Sequence, residues 1–318
     1  MPSPLVRRIA PALTAACTLL LTSCADTTES GSTVGEPDLG EIPVMLETKQ
    51  LEFPLGAYEA TADERQKLNS AQEALVVQCM SRFGFAHTPS PQQAAPATDN
   101  RYIFGVVDAK EVARYGYLNP LATGAAGRQR PPRPALSSTE QLVLSGADDA
   151  NPQSMPMSQE AAQREGGSGQ KVNGQAVPVG GCSREAFLKL YAPKPNAVDI
   201  MYVFNLRSEA ESQTRADSHV RENDKKWSAC MKKAGYSVID PMDASNELGF
   251  QNEELSSPAA IAAAAADVAC KKKVNLAGVR YAVTTAYQKR LIDKNAETLN
   301  LARQQHGDRM KLAATLLS

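Results

Sequence analysis

Aromatic side chains make up only 5% of these 318 residues and there is a single tryptophan, Trp227. Few of the large side chains that dominate cores are available. Mean hydropathy is -0.34, and the 20 glycines and 20 prolines gather in a few segments, so several stretches contribute nothing to a core. Catalytic signatures are missing too. HExxH and GxSxG do not occur. Gly166-Gly167-Ser168-Gly169 lacks the lysine and the preceding strand of a phosphate-binding loop. Of the three histidines, His87 precedes Thr88-Pro89, His306 lies near the C-terminal end, and His219 has Glu222 at i+3 in a charged stretch that reads as a solvated helix face. Glu209 and Glu211 are two apart and point to different helix faces. No catalytic residue, cofactor or metal site is read from the sequence, although groups from distant segments could still converge.

Charge of one sign is also lacking. The chain has 34 Lys and Arg against 35 Asp and Glu; without residues 1–24, which hold Arg7, Arg8 and no acid, 32 cations face 35 acids, a net charge of -3. That balance argues against nucleic acid as a partner and against a polybasic membrane binder.

What is present begins at the N-terminus. Arg7 and Arg8 precede an apolar stretch from Ile9 to Leu21, too short to span a bilayer, and then Leu21-Thr22-Ser23-Cys24. An apolar residue, two small residues and a cysteine resemble the lipobox of bacterial lipoproteins. The resemblance implies a lipoprotein signal peptide over 1–24, with Cys24 diacylated as the first mature residue. The protein would then be anchored by lipid on the extracytoplasmic face of the cell membrane. A plain secretory signal cleaved near Ala25 is the alternative. Residues 25–45, rich in Thr, Ser, Gly, Glu and Pro, read as a flexible tether, and Ile42 to Leu55 as an extended segment packed on the domain.

Six cysteines are present. Cys17 leaves with the signal and Cys24 is assigned to lipid. Cys79, Cys182, Cys230 and Cys270 remain, an even number that reads as two disulfides in an oxidising compartment. None forms a CxxC pair, which argues against zinc. Cys79-Met80 and Cys230-Met231 both open the pattern CMxxxG followed by an aromatic, Phe85 or Tyr236. With the glycine just past a helix, the methionine and the aromatic fall at the two positions that touch in a Schellman cap, and Arg82, Lys232 and Lys233 fall in the last turn. Cys182 and Cys270 lie in later helices, the second announced by Ser257-Pro258. The twice-used order of helix, cap, loop, cysteine and helix favours Cys79 with Cys182 and Cys230 with Cys270.

The expected fold is mainly α: disulfide-stapled helices, a long C-terminal helical hairpin, at most a small strand element, and long disordered segments. Capping boxes open helices at Thr61–Glu64 and Asp108–Glu111. Residues 101–107 (Arg-Tyr-Ile-Phe-Gly-Val-Val) are the strand candidate. A division follows at 46–192, a stapled region with a disordered insertion over about 119–181 that could hold a helical turn or two at 138–144, and 193–318, the hairpin region. The pattern from Pro258 to about Gln304 gives a helix of about 70 Å if it is unbroken at Gly278.

The lipobox, the paired CMxxxG-aromatic motifs, Trp227-Ser228-Ala229-Cys230-Met231 and Ala266-Asp267-Val268-Ala269-Cys270-Lys271 resemble a group of actinomycete-type secreted lipoproteins of unknown function. The resemblance implies an envelope setting and carries over no catalytic residue. The expected function is non-enzymatic binding or scaffolding through an elongated helical surface, with a transporter, a partner lipoprotein or the cell wall as partner. The alternative is a ligand-binding or wall-modifying protein with its pocket under the insertion, near Tyr102, Tyr115 and Tyr117.

Overall fold

The computed structural model describes residues 35–89, 99–122, 135–146 and 155–318. The signal sequence, Cys24, residues 25–34 of the tether and the parts of the insertion at 123–134 and 147–154 lie outside the described residues. Residues 36–318 form one compact unit. It is mainly helical: α1 (Ala62–Arg82), α2 (Ala109–Tyr115), α3 (Ser138–Ser145), α4 (Gln159–Glu165), α5 (Gly181–Tyr191), α6 (Tyr202–Ala216), α7 (Ser218–Lys233), α8 (Ala244–Glu247), α9 (Pro258–Lys273), α10 (Leu276–Lys294) and α11 (Ala296–Leu317). The two-residue strands β1 (Lys171–Val172) and β2 (Gln175–Ala176) form an antiparallel hairpin.

Local chemistry sets the helix ends. Thr61 opens α1 with a full capping box, its hydroxyl accepting the Glu64 N–H at 3.2 Å while the Glu64 carboxylate accepts the Thr61 N–H at 2.8 Å. At the other end Gly84 has φ +82°, Phe85 N–H donates to Met80 C=O at 3.2 Å, and Gly84 N–H donates to Ser81 C=O at 3.0 Å. The same two bonds close α7, from Tyr236 to Met231 at 3.0 Å and from Gly235 to Lys232 at 3.1 Å. Both CMxxxG motifs are therefore Schellman caps. A third closes α8 at Gly249-Phe250, bonded to Asn246 and Ser245, with no Cys-Met ahead of it.

Each capped cysteine is joined to a later helix. Cys79–Cys182 ties α1 to α5 with Cα atoms 5.5 Å apart, and Cys230–Cys270 ties α7 to α9 at 5.7 Å. One core surrounds the first bridge, where Leu68, Leu75, Val76, Met80 and Phe83 meet α3, α5 and Ala313 of α11. A second surrounds the other, with Trp227, Met231, Phe104, Val107 and Leu276. A third lies between α6, α7, α10 and α11. There α10 runs antiparallel to α6 and α7, since Tyr202 bonds Asn295, Thr214 bonds Thr284, Tyr287 bonds Asp217 and Arg280 bonds Asp224. This is the C-terminal hairpin.

Several expectations are corrected. Residues 101–107 form no strand, only an isolated Ile103–Gly105 bridge. Gly105 at φ +69° turns the chain, so Phe104 and Val107 enter one core and Val106 another. Asp108 caps α2 through the Lys110 N–H, but Glu111 pairs with Arg101 at 3.1 Å instead of completing a box. The insertion read as disordered contains α3, α4 and the β1–β2 hairpin among its described residues. The pattern from Pro258 onward is three helices, broken at Val274-Asn275 and at Asn295, and α11 lies along α1.

Gly278 is not the break; it sits inside α10. A Cβ there would overlap the carbonyl oxygen of Pro43, which belongs to an extended strap over residues 36–48. Asn275, at φ +51°, holds the strap from both sides, accepting the Met45 N–H at 3.1 Å and donating to Pro43 C=O at 2.9 Å. Gly278→Val is expected to cost about 1–3 kcal/mol by overpacking and to expose the strap, seen as new protease cleavage between residues 36 and 53 with the rest of the body resistant.

Candidate functional surface

The strap is fastened where the described chain begins. Glu36 accepts the Ser218 N–H at 2.6 Å and the Ser218 hydroxyl at 2.5 Å, at the first turn of α7. Those two bonds hold its carboxyl below the ordinary value. Asp217, the N-cap, is buried; it accepts the His219 N–H at 2.9 Å and the Tyr287 hydroxyl at 3.1 Å. The His219 ring nitrogen Nδ1 lies 3.1 Å from Asp217 and 3.9 Å from Glu36. Glu222, expected beside His219, instead bonds Lys226 at 2.7 Å. One donor atom each from Glu36, Asp217 and His219 lies within 4.8 Å of the others, a set that offers a nitrogen and two oxygens to a cation. Each of the three is already engaged in closing the helix start and fastening the strap.

Between the strap and α10 runs an open groove of about 780 Å³, lined by Pro37, Asp38 and Glu41 on one side and Tyr281, Ala286 and Lys289 on the other. The strap side carries Asp38 and Glu41 and the α10 side Lys289, Arg290 and Asp293, among apolar wall residues, which suits a mixed polar and apolar segment of another molecule.

Behind the second disulfide is a buried polar network. Trp227 Nε1–H donates to Asp267 at 2.8 Å, and Lys271 Nζ lies 3.1 Å from the other Asp267 oxygen; both charged residues are at most 2% exposed. Burial raises the Asp267 pKa and lowers that of Lys271, and each partner's charge opposes the shift. Asp224 and Arg280 form a second pair at 2.8 Å. A Cβ on Gly105 would sit 2.8 Å from Lys271 Nζ, which explains glycine in the 101–107 turn. Tyr117 lies against this network with its hydroxyl buried and without a hydrogen-bond partner among the described residues, its pKa pushed far up by burial and by Asp267, and its ring stacks on Phe250 at 6.2 Å. Tyr102 lies 3.4 Å from Glu111, and Arg114 covers Tyr115 at 5.0 Å. None of the three tyrosines lines the groove.

At the first disulfide, Glu185 lies 2.5 Å from both Arg82 and Lys189. Burial pushes its carboxyl up, but hydrogen bonds from Lys189 and Arg82 together outweigh it and leave the pKa below its ordinary 4.5. A depressed carboxylate contributes stability that is present above the unfolded value and is lost as pH falls through the folded one. Unfolding midpoints of the wild type should therefore fall below about pH 4.5, and Glu185→Gln should flatten that part of the profile while lowering stability at neutral pH. A smaller cavity of about 250 Å³ lies over this cluster, lined by Arg82, Glu185, Lys189, Gln159 and Gly167. The Gln159 side-chain oxygen is buried without a partner.

Among the residues the sequence singled out, the structure joins Cys79 to Cys182 and Cys230 to Cys270 and brings none of the histidines together. His87 faces Glu73 at 3.7 Å and His306 faces Glu64 at 3.3 Å. Sequence reasoning missed Glu36, Asp217 and the Asp267–Lys271 pair. The last had a signal, two opposite charges at i, i+4 inside an alanine-rich run that leaves few other polar groups to pair with. No protein-family model, no curated protein and no solved structure matches this chain.

Proposed function

We propose that the chain is a cell-envelope lipoprotein, held by lipid on Cys24 at the extracytoplasmic membrane face, that binds a partner and does not catalyse a reaction. The disulfides support an oxidising compartment. No helix among the described residues is long and apolar enough to cross a membrane, and the lipobox supplies an anchor of another kind. The observation that carries the binding reading is the groove along the strap, the very segment through which a lipid tether would join the body. The contact surface is then this groove and the α6–α7/α10 hairpin beside it, rather than one continuous C-terminal helix. The partner is a segment of an envelope protein, such as a transporter or another lipoprotein.

Truncation after Ala259 would remove buried residues from every core and cannot separate binding from folding. Ala286→Arg fills the half-buried groove wall instead. It should melt within a few degrees of wild type, yet capture at least tenfold less of the same partner from solubilised envelope. Equal capture by the folded variant would overturn the groove as the contact site.

A second reading has one observation in its favour: the cavity under the insertion, with the unpaired Gln159 oxygen and the Arg82–Glu185–Lys189 cluster, fits a small polar ligand. Wall fragments retained by natively purified protein and lost with Gln159→Leu would favour it.

A further inference from the structure

The near-zero net charge of the whole chain conceals a separation. Helices α7 and α9 carry eight cations against three acids, +5, so the remainder of the chain after residue 24 holds 24 cations against 32 acids, -8. On α7 the exposed positions are Ser218, His219, Arg221, Glu222, Lys225, Lys226, Ala229, Lys232 and Lys233, which recur at helical spacing and form one stripe. Asp224 is turned to Arg280, and the acids on this stripe are Glu222 and, bonded to Ser218 at its start, Glu36. The Cys230–Cys270 bridge and a 2.8 Å bond from Asn223 to Val274 C=O hold the last turn of α9, with exposed Lys272 and Lys273, alongside α7.

Two further observations decide what such a surface meets. First, Glu36 is bonded to Ser218, so the chain that leads back to Cys24 leaves the body about one helical turn from Arg221. Twelve residues from Cys24 to Glu36 reach at most about 40 Å, and the stripe from Arg221 to Lys233 is about 18 Å long. Second, the loop after α7 folds back through a Ser228 hydroxyl bond to Val238 C=O and presents Ile239, 77% exposed, and Met242, 41% exposed, while its acids Asp240 and Glu247 are engaged with the loop's own backbone N–H groups. Cations beside exposed apolar side chains suit the boundary between lipid headgroups and acyl chains; a soluble or wall-bound polyanion offers the apolar pair nothing.

We propose that the exposed face of α7, with Lys272, Lys273 and the 239–242 loop, lies on an anionic lipid surface and orients the body on the membrane. The orientation rests on the lipid-anchor reading above; the affinity for anionic lipid does not.

The test uses the full chain with Cys24→Ser, which retains the strap and the folded body. Cosedimentation would compare vesicles of phosphatidylcholine alone with vesicles containing about 30% phosphatidylglycerol. The expected result is binding to the anionic vesicles that weakens as salt rises, with none to the neutral ones. Adding Lys225→Gln, Lys232→Gln and Lys272→Gln together should reduce binding about a hundredfold, at about fivefold per lysine, with an unchanged circular dichroism spectrum because all three side chains are exposed. Ile239→Ser should reduce it several-fold, and Lys311→Gln, on α11, not at all. Equal binding to neutral vesicles, unchanged binding by the folded triple variant, or binding to purified anionic wall polymer in preference to vesicles would each overturn the proposal. Mass analysis of the native N-terminal peptide tests the anchor separately: unmodified Cys24 with intact vesicle binding removes the anchor and leaves the lipid-binding face.

Discussion

Replacing Cys79 and Cys182 by serine should lower unfolding stability by about 4–5 kcal/mol, as far as a loop closed across 103 residues sets the scale. The effect is large because it falls on a thin core. The bridge ties α5 to α1 within the core that holds Val143, Val177 and Leu190, and its neighbours Met80 and Phe83 are already fully buried. Apart from the chain itself, no other covalent link joins this region to the body among the described residues. Trp227 reports from the other disulfide's core, so its fluorescence against denaturant, paired with far-ultraviolet dichroism, separates loss of the first core from global unfolding. The expected outcome is a midpoint displaced to low denaturant with both probes coinciding. A variant with wild-type stability would mean that the helices around Cys182 dock without the staple.

The second large effect concerns the Asp267–Lys271 pair. Asp267→Asn preserves an acceptor for Trp227 but leaves Lys271 buried without its countercharge, which should cost about 3–5 kcal/mol at neutral pH. The pH dependence carries a definite sign. Burial already lowers the Lys271 pKa below 10.5, and removing Asp267 lowers it further, so between the folded and unfolded values the unfolded chain binds more protons. Stability of the variant should therefore rise as pH increases from neutral toward about 10, while the wild type changes less over the same window. Chemical denaturation at a series of pH values measures this directly. A flat profile would show that the ammonium finds water or another acceptor within the fold.

Much of this architecture was legible in the sequence because it is written in short-range chemistry. Thr61–Glu64, Ser257-Pro258 and the two CMxxxG motifs each fix a helix end within five or six residues, and the structure places every one as expected. The two disulfides follow from the repeat of that local grammar. Long-range causes were not legible. The apolar periodicity from Val268 to Leu291 runs straight through Asn275, yet the helix breaks there because the asparagine side chain must hold a strap more than 200 residues away. Gly278 looked like an interruption and is instead a clearance for Pro43. The run Tyr102-Ile103-Phe104 has every propensity of a strand and no partner strand to pair with, so its apolar side chains divide between two cores. The charged stripe on α7 was hidden by averaging, since the acids that balance it lie on other elements.

The central claim is that this disulfide-stapled body is held at a membrane by lipid on Cys24, with its strap fixed at Glu36. Intact-mass and peptide analysis of the protein extracted from the native membrane fraction tests it most directly. The expected result is a mature chain that begins at Cys24 and carries a diacylglyceryl group, with Cys79–Cys182 and Cys230–Cys270 both oxidised. A soluble chain that begins near Ala25 with no acyl mass would contradict it.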